Sequence, residues 1–429
     1  MDKSKNKIGL WSAVGIGVGA MVGAGIFALM GEAGAIAGKA VYISFILGGI
    51  IAAISGYSLA KLGASFPAAG GIVKYVAQAF GLNVFSGGIS VLLYLSSIIT
   101  LALLAKAFGS YAAVLFNLKE SLIYINIFAL SIMLLIGIIQ YFGIKKVVKF
   151  QNVSIVITII ILVIFATVGL IYMKPELMAP ALYPSSNKIL FSIAITFFSY
   201  EGFRIITHTA EDIVNPEKNL MKAIFISIGI TMVIYTTLAY AVFGNLEVDK
   251  VIEAKNYALA EASKPVFGNL GYTIISVTAL FATASTINAT LYAATKISYQ
   301  MAKDGEFPSF FSKQIGNSRV GLLVSLLLTG LLIVFLDLLQ IAAVGSIAML
   351  SIHAVTHLGH LKIIHQTKAS KFLVVTALLT TLTVIVLFLI YSIKDSYTIL
   401  FLFVGLLVLS FLIELTARLI TNRKVTKSN

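Results

Sequence analysis

Apolar residues run along this 429-residue chain in long blocks that are separated by short polar clusters. A bilayer core is crossed by about 20 apolar residues in helical form, and dividing the chain on that basis predicts twelve transmembrane helices. The predicted spans are 10–31, 40–66, 84–115, 121–142, 150–173, 188–209, 220–244, 267–301, 319–337, 339–361, 371–393 and 397–420. The pattern therefore predicts an all-α polytopic membrane protein that forms a single transmembrane domain over residues 1–429.

Two of these apolar blocks are interrupted at matching places, one in each half of the chain. The block from Val14 to Met30 contains Gly23-Ala24-Gly25, and the block that begins near Ile189 contains the polar run from Ser199 to Arg204. Since unpaired backbone groups are costly in lipid, an interrupted membrane helix survives only where it lines a cavity or lies within protein. Paired interruptions are the best sequence pointer to the binding site of a secondary transporter, so the pattern predicts a solute transporter.

Composition supports a membrane protein: 59% of the residues are hydrophobic and 11% are charged, against about 25% charged residues in a soluble protein. The net charge of +14 does not indicate nucleic-acid binding, because 21 of the 31 Lys and Arg residues lie in loops, termini or span ends on one side of the predicted membrane. Eight lie on the other side, and the remaining two, Lys106 and Arg204, lie inside spans away from the cytoplasmic ends. This positive-inside bias predicts an integral plasma (inner) membrane protein with both termini in the cytoplasm.

The sequence carries no sign of an enzyme. It has no Cys, and it contains no nucleotide-binding P-loop, zinc-binding HExxH helix or nucleophile elbow. We therefore expect neither catalysis nor a cofactor.

The two interruptions offer complementary chemistry for a zwitterion. The N-terminal end of a half-helix presents N–H groups that suit a carboxylate, and the C-terminal end presents carbonyls that suit an ammonium group or Na⁺. Gly23 and Gly25 would let a ligand approach the backbone. Small residues also line close helix–helix contacts, so both interpretations of the glycines are open.

Glu201 and Arg204 are the charged residues of the second interruption and stand three positions apart. Charges at this depth are costly and by default functional. Glu201 is thus a candidate proton carrier or a partner for a substrate cation, and Arg204 is a candidate gate toward the cytoplasm. The two could instead pair with each other and hold the interruption open. Phe197 and Phe198 add rings that could cover a ligand.

Two further polar features have simpler interpretations. Lys106 lies in the outer part of the third span, where its ammonium group is expected to reach the membrane surface. His353, His357 and His360 stand at i, i+4 and i+7 near the inner end of the tenth span. That spacing would suit a metal ion, but no carboxylate or Cys accompanies it. We therefore expect an exposed cytoplasmic face and no metal site.

Three blocks of the sequence resemble signatures of the amino acid–polyamine–organocation (APC) superfamily: Gly23–Phe27, Ser199–Asn219 and Ala302–Pro308. The resemblance to amino-acid permeases extends over essentially the whole chain and is greatest to an archaeal proton-coupled transporter of broad specificity. It implies the LeuT-type fold. In that fold two inverted five-helix repeats, here 10–173 and 188–361, precede peripheral helices, here 371–420.

The same resemblance implies a substrate site. The carboxylate of an amino acid would lie on the amides of Gly23, Ala24 and Gly25. Its ammonium group would face carbonyls near Phe197, Phe198 and Glu201. The positions that contact the substrate side chain in relatives correspond to Ser96, Ser97 and Thr100 of the third span.

The chain departs from its proton-coupled relative at a position of the fifth helix, where a lysine is replaced by Thr158, and Glu201 replaces an apolar residue of several relatives. Three modes of coupling are open. Glu201 could carry a proton, because a carboxylate removed from water can titrate near neutrality. Na⁺ could bind Ser285 and Thr286, together with first-helix carbonyls and Thr158. The protein could also exchange one substrate for another.

We expect a permease that works by alternating access, coupled to protons in preference to Na⁺. A neutral amino acid is the preferred substrate over a cationic amino acid or a polyamine. The rival from another class is a membrane sensor that keeps the transporter fold without transporting.

Overall fold

A computed structural model describes residues 8–68, 70–118, 121–143, 147–303, 307–395 and 397–421. The description leaves out the side chains of residues 24, 147–152, 394, 395, 420 and 421. The predicted ligand position Ala24 therefore lies outside the described side chains. Residues 304–306 of the family-like block after the eighth span also lie outside the described residues.

In the described part of the chain, sixteen α-helices follow one another: α1 Leu10–Ala37, α2 Val41–Ser65, α3 Ile72–Phe80, α4 Val84–Leu115, α5 Leu122–Phe142, α6 Val147–Ile171, α7 Ser186–Ser199, α8 Arg204–His208, α9 Pro216–Phe243, α10 Val248–Glu253, α11 Ala258–Lys303, α12 Val320–Phe335, α13 Leu338–Lys362, α14 Ile364–Thr367, α15 Lys371–Asp395 and α16 Tyr397–Thr421. Short 3₁₀ helices lie between them at Gly38–Ala40, Pro175–Met178, Pro180–Leu182, Glu201–Phe203, Lys255–Tyr257 and Ser309–Ser312. The strands β1 (Gln314–Ile315) and β2 (Ser318–Arg319) form an antiparallel pair with Gln314 opposite Arg319.

The twelve predicted spans all coincide with helices. Among the described residues, ten stretches are long and apolar enough to cross a membrane, and two shorter apolar stretches are the first half of α1, Leu10–Gly23, and the helix α12, Val320–Phe335. One of the ten, Gly25–Ser65, contains the second half of α1 and all of α2. The protein is thus an all-α polytopic membrane protein, as predicted.

The range of α11, Ala258–Lys303, joins two helical parts across a kink. Pro265 lies in the first part, and Gly268 has the non-helical angles φ 64° and ψ −158°. Proline removes a backbone donor and glycine readily adopts positive φ, so the first part ends here and the second part begins close to the predicted start of the eighth span at 267.

The long helices pack as two groups of four. In one group, α1 and α2 each contact α7 and α9, and in the other, α4 and α5 contact α11 and α12. The remaining two core helices take equivalent places: α6 contacts α1, α9 and α11, whereas α13 contacts α7, α2 and α4. The first five spans therefore pack as the second five do, which is the LeuT-type arrangement, and α15 and α16 lie against α2, α13 and α4 from outside.

The chain before α1 is tied to the segment after α8. Ile8 pairs with Ile213 in a short parallel bridge, in which the Ile8 N–H donates to the Asp212 carbonyl at 2.7 Å and the Val214 N–H donates to the Ile8 carbonyl at 3.0 Å. We call the end of the bundle where α1 begins and α13 ends the terminal end.

Candidate functional site

The predicted interruption of the first span is wrong. α1 is one α-helix that passes through Gly23 and Gly25 without a break. A Cβ added at Gly23 would overlap the Thr286 hydroxyl of α11. A Cβ added at Gly25 would overlap the Tyr235 hydroxyl of α9 and lie 2.5 Å from the Ser199 carbonyl oxygen. The glycines therefore allow close helix contacts, which is the alternative that the sequence also supported.

The predicted interruption of the sixth span is confirmed. α7 ends at Ser199, a 3₁₀ turn covers Glu201–Phe203, and α8 begins at Arg204. The hydroxyl of Tyr235 lies 2.6 Å from the Met21 carbonyl of α1 and 3.2 Å from the Ser199 carbonyl. Because a hydroxyl carries one hydrogen, it donates to one of the two carbonyls at a time, and it connects α1 to the point where α7 ends.

Glu201 is buried at this interruption and faces two basic side chains. Its Oε2 lies 3.4 Å from Nε of Arg204, and its Oε1 lies 3.0 Å from Nε2 of His353 on α13. Neither contact is aligned as a hydrogen bond. The rings of Phe197 and Phe203 lie on His353 with centroid distances of 5.6 and 5.8 Å. The structure thus brings Glu201 and Arg204 together and adds His353, a partner that sequence reasoning missed.

The exposed cytoplasmic face predicted for His353, His357 and His360 is wrong, because all three side chains are fully buried. They face α2, which places Ser55 and Ser58 opposite them. Buried polar groups require hydrogen-bond partners, and two serines three positions apart on one helix match the spacing of the histidines on the other.

These side chains form one continuous chain of hydrogen bonds. Ser55 Oγ lies 2.8 Å from His353 Nδ1 and 2.9 Å from His357 Nε2. Ser58 Oγ lies 2.9 Å from His357 Nδ1 and 2.8 Å from His360 Nδ1. We call the chain the histidine–serine ladder; its members in order are His353, Ser55, His357, Ser58, His360 and Thr367, the last through a 2.8 Å contact from His360 Nε2 to Thr367 Oγ1.

The ladder uses five of the six ring nitrogens of the three histidines. Among the described residues, no group of three His, Asp or Glu side chains is placed to hold a metal ion. The sequence signal that could have revealed the ladder is the matching polar spacing of Ser55 and Ser58 within an otherwise apolar span.

The predicted substrate-facing residues of α4 are buried or half-buried and bonded within their own helix. The hydroxyls of Ser96, Ser97 and Thr100 donate to the carbonyls four residues earlier, at 2.8, 3.1 and 2.9 Å. Phe198 packs between α4 and α13, where a Cβ added at Gly345 would lie 2.8 Å from the Phe198 ring. These residues therefore lie near the interrupted span, and their hydroxyls have partners without a ligand.

The residues proposed for Na⁺ lie on helices that meet α1. Thr158 is buried on α6, which contacts α1 and α11. The Thr286 hydroxyl donates to the Ala282 carbonyl at 2.9 Å. Within the described part of the chain, the buried Ser285 hydroxyl has no hydrogen-bond partner. Ser285 is thus the oxygen of this group that could still gain a ligand.

The predicted position of Lys106 at the membrane surface is wrong. Its side chain is 3% exposed, because α5, α11, α12 and α13 all pack around α4. The long stem lies within protein.

A cavity of about 590 Å³ lies at the terminal end, beside the interrupted span. Its walls include Ile205 and His208 of α8, and Asn288, Tyr292 and Lys296 of α11. The cavity therefore reaches α8, which follows the 3₁₀ turn that contains Glu201.

Comparison with known proteins places this geometry in a family. The family model described as "Amino acid permease" matches residues 8–428. The chain belongs to the amino acid permease family. This permease is 35% identical to the Methanocaldococcus jannaschii protein MJ0609 over 100% of both chains, and 31% identical to the inner membrane transport protein YbaT of Escherichia coli (strain K12) over 97% of both.

A solved structure supports the fold of the permease. The crystal structure of a mutant of the Eremococcus coleocola manganese transporter aligns with a TM-score of 0.63 over 95% of both chains, at 13% sequence identity. At that identity the likeness bears on the fold alone.

Proposed function

We propose that this permease is a secondary amino-acid transporter that works by alternating access and couples transport to protons. The observation that carries the proposal is Glu201, a carboxylate that is 8% exposed and lies at the interrupted sixth span of a membrane protein of this family. An ionisable residue at this depth is expensive to keep and by default functional. The repeats 10–173 and 188–361 would move against each other around the site, with both termini and the terminal end in the cytoplasm.

The proposed substrate site lies between α1, α4 and the interrupted span. The carboxylate of the substrate would bind the amides of Gly23, Ala24 and Gly25. A helical N–H group already bonds to the carbonyl four residues earlier, so these amides become available only where α1 opens. Glycine costs a helix about 1 kcal/mol relative to alanine, so Gly23 and Gly25 lower the free energy needed to open α1 at this point.

The other end of the substrate would face α7 and α4. Its ammonium group would lie near carbonyls of Phe197, Phe198 and Glu201, and its side chain near Ser96, Ser97 and Thr100. Because the Arg204 guanidinium already lies 3.4 Å from the Glu201 carboxylate, little negative charge is left to attract a cationic side chain. This favours a neutral amino acid over Arg, Lys or a polyamine.

Na⁺ coupling is the second candidate, because the buried Ser285 hydroxyl lacks a partner among the described residues. With Thr286, Thr158 and carbonyls of α1, it would supply oxygen ligands of the kind that suit a hard cation. Proton coupling is preferred because Glu201 is the ionisable group at the interruption itself.

The test is radiolabelled amino-acid uptake by the purified protein in liposomes, driven by an imposed pH gradient or Na⁺ gradient. We expect the pH gradient to drive accumulation of neutral amino acids. Glu201→Gln should abolish accumulation and leave exchange across preloaded vesicles largely intact. The matched control is Glu261→Gln, which removes a carboxylate paired at 2.7 Å with Lys264 outside the interrupted span.

Other results would contradict parts of this proposal. Accumulation that requires Na⁺ and is lost in Ser285→Ala would show that the coupling ion is Na⁺ and not the proton. Exchange without accumulation under either gradient would indicate an antiporter. Weakened binding of Arg or Lys alone in Glu201→Gln would indicate a cationic substrate. Equal loss of accumulation and exchange in Glu201→Gln would indicate that Glu201 and Arg204 are a structural pair. The absence of uptake for every amino acid would contradict the proposal that the protein is an amino-acid transporter.

A further inference from the structure

The histidine–serine ladder has a property that simple polar packing between helices does not require. Each inner member bonds on both sides, so the links from His353 to Thr367 are unbroken, with distances of 2.8 to 2.9 Å throughout. We propose that the ladder is a proton relay between Glu201 and the terminal end of the bundle. The proposal rests on the proton coupling put forward above, and it assigns the path by which the coupling proton leaves or enters.

The donors and acceptors of the ladder can all point the same way. Consider three neutral histidines, each with one ring hydrogen. His353 Nδ1–H donates to Ser55, and the Ser55 hydroxyl donates to His357 Nε2. His357 Nδ1–H donates to Ser58, and the Ser58 hydroxyl donates to His360 Nδ1. His360 Nε2–H then donates to Thr367, so one arrangement of tautomers satisfies every link.

In this arrangement a single proton passes by a series of short transfers. A proton on Glu201 moves to the free Nε2 of His353. Each ladder member in turn takes a hydrogen on one side and gives one up on the other. At the end of the series the Thr367 hydroxyl, which donates to the Ile364 carbonyl at 3.0 Å, turns away from that carbonyl and gives its hydrogen to water. Glu201 is left as a carboxylate, one proton has been released, and no member has gained or lost charge overall. Rings and hydroxyls must rotate to restore the starting arrangement, or the reverse transfer restores it.

The two ends of the ladder lie where a relay needs them. At the buried end, Glu201 Oε1 lies 3.0 Å from His353 Nε2 but out of line for a hydrogen bond. A small rotation of either side chain would close this link. At the other end, Thr367 is itself buried, at 4% exposure, and its two chain neighbours Gln366 and Lys368 are exposed at the terminal end. Lys61 of α2 and Lys368 are charged residues near this end, whereas Glu201 and Arg204 are the charges at the buried end.

The length of the ladder fits the distance to be crossed. His353 and His360 are seven residues apart on α13, which is about 10 Å at 1.5 Å per residue. With Thr367 and Glu201 at its ends, the ladder extends over much of one half of a hydrocarbon core of about 30 Å. Its inner members are fully buried, so the hydrogen-bonded side chains themselves are the path that the structure provides.

The alternative is that the ladder only holds α2 against α13, since interhelical hydrogen bonds have that effect in membranes. Serine-to-alanine changes separate the two roles. Ser55→Ala and Ser58→Ala each remove one hydroxyl with little change in volume and break the relay at one point. The matched control is Ser44→Ala on the same helix, whose hydroxyl is also fully buried and lies 2.5 Å from the Ser192 hydroxyl, away from the ladder.

The first measurement is made in liposomes that contain a pH-sensitive dye. Substrate-driven proton entry and pH-driven accumulation should slow on the order of a hundredfold in Ser55→Ala and Ser58→Ala, since a positioned proton-transfer group contributes about that much. Substrate counterflow, which needs no net proton transfer, should be unchanged. Ser44→Ala should retain both activities, and Ser58→Thr, which keeps a hydroxyl, should retain proton entry.

The second measurement does not depend on substrate. After a pH jump, the rate at which Glu201 gains a proton is followed by the infrared band of the protonated carboxyl group, identified by its absence in Glu201→Gln. We expect this rate to fall in both ladder variants and to stay at the wild-type value in Ser44→Ala.

Wild-type rates of proton entry and of Glu201 protonation in Ser55→Ala and Ser58→Ala would overturn the relay. Parallel loss of counterflow and proton entry, with an unchanged infrared rate, would reduce the ladder to a structural contact. Failure of every amino acid in wild-type counterflow would instead contradict the proposed function, and the infrared rate would still decide whether the ladder carries protons to Glu201.

Discussion

Gly23→Ala tests whether the glycines of α1 are packing positions. The new Cβ would overlap the Thr286 hydroxyl oxygen, and it would lie 3.2 Å from the Ala282 carbonyl oxygen and 3.3 Å from Thr286 Cβ. The hydroxyl could rotate away only by giving up its 2.9 Å bond to Ala282, and the carbonyl is fixed in the backbone of α11. Overpacking of this kind costs about 1 to 3 kcal/mol. The better helix propensity of alanine returns up to about 1 kcal/mol, so we expect a net loss of about 1 kcal/mol.

Gly15→Ala is the matched control, because it makes the same chemical change on the same helix where no atom lies within 4 Å of the new Cβ. Gly15→Ala should gain only the free energy that comes from the better helix propensity of alanine. The two variants should therefore shift the unfolding midpoint in opposite directions. Unfolding of the purified variants in one detergent measures this directly. Thr286→Ala should restore part of the stability that Gly23→Ala loses.

A Gly23→Ala protein as stable as Gly15→Ala would refute the packing argument. The glycine would then have to be explained by the approach of a ligand. Loss of substrate binding without loss of stability would support that explanation.

Two further predictions concern hydroxyls near the interrupted span. Tyr235→Phe should lower the free energy of unfolding by about 1 kcal/mol, since one buried hydrogen bond to Met21 or Ser199 is lost. Tyr397→Phe, at a side chain 60% exposed, should leave the free energy of unfolding unchanged. Equal unfolding midpoints for the two variants would show that the hydrogen bond of Tyr235 contributes nothing. Ser97→Ala should change the free energy of unfolding by less than about 0.5 kcal/mol, since its hydroxyl bonds only within α4. It should raise the KM for uptake if the hydroxyl turns toward the substrate. An unchanged KM would therefore exclude Ser97 from the substrate site.

The twelve spans could be predicted because the bilayer fixes the length and hydropathy of any helix that crosses it. The third predicted span, 84–115, has the same bounds as α4. The polar run at 199–204 could be predicted to interrupt its span, because Glu201 and Arg204 cannot lie on a lipid-facing helix surface at acceptable cost. Both features could be predicted because each depends only on one segment of the chain and on the membrane around it.

The sequence alone does not show what the glycines of α1 and the histidines of α13 contact. Gly23 suits either a ligand or a neighbouring helix, and the deciding neighbour, Thr286, is 263 positions away in the chain. Likewise, the spacing of His353 and His357 shows that they share a helix face but not what that face meets. The serines of α2 that bind them lie about 300 positions earlier, and only the folded bundle brings the two faces together.

α2 belongs to two polar networks that lie at different depths. In its first half, Ser44 bonds to Ser192 of α7 and the Phe45 carbonyl accepts from Tyr200. In its second half, Ser55 and Ser58 bond to the histidines of α13. If α2 moves with α7 during transport, the ladder must open, because its serines leave the histidines. If α2 moves with α13, the ladder stays closed and the bonds to α7 must break. If the proposed alternating access separates α7 from α13, one of the two networks must open, and the proposed proton transfer along the ladder then depends on which of the two helices α2 follows.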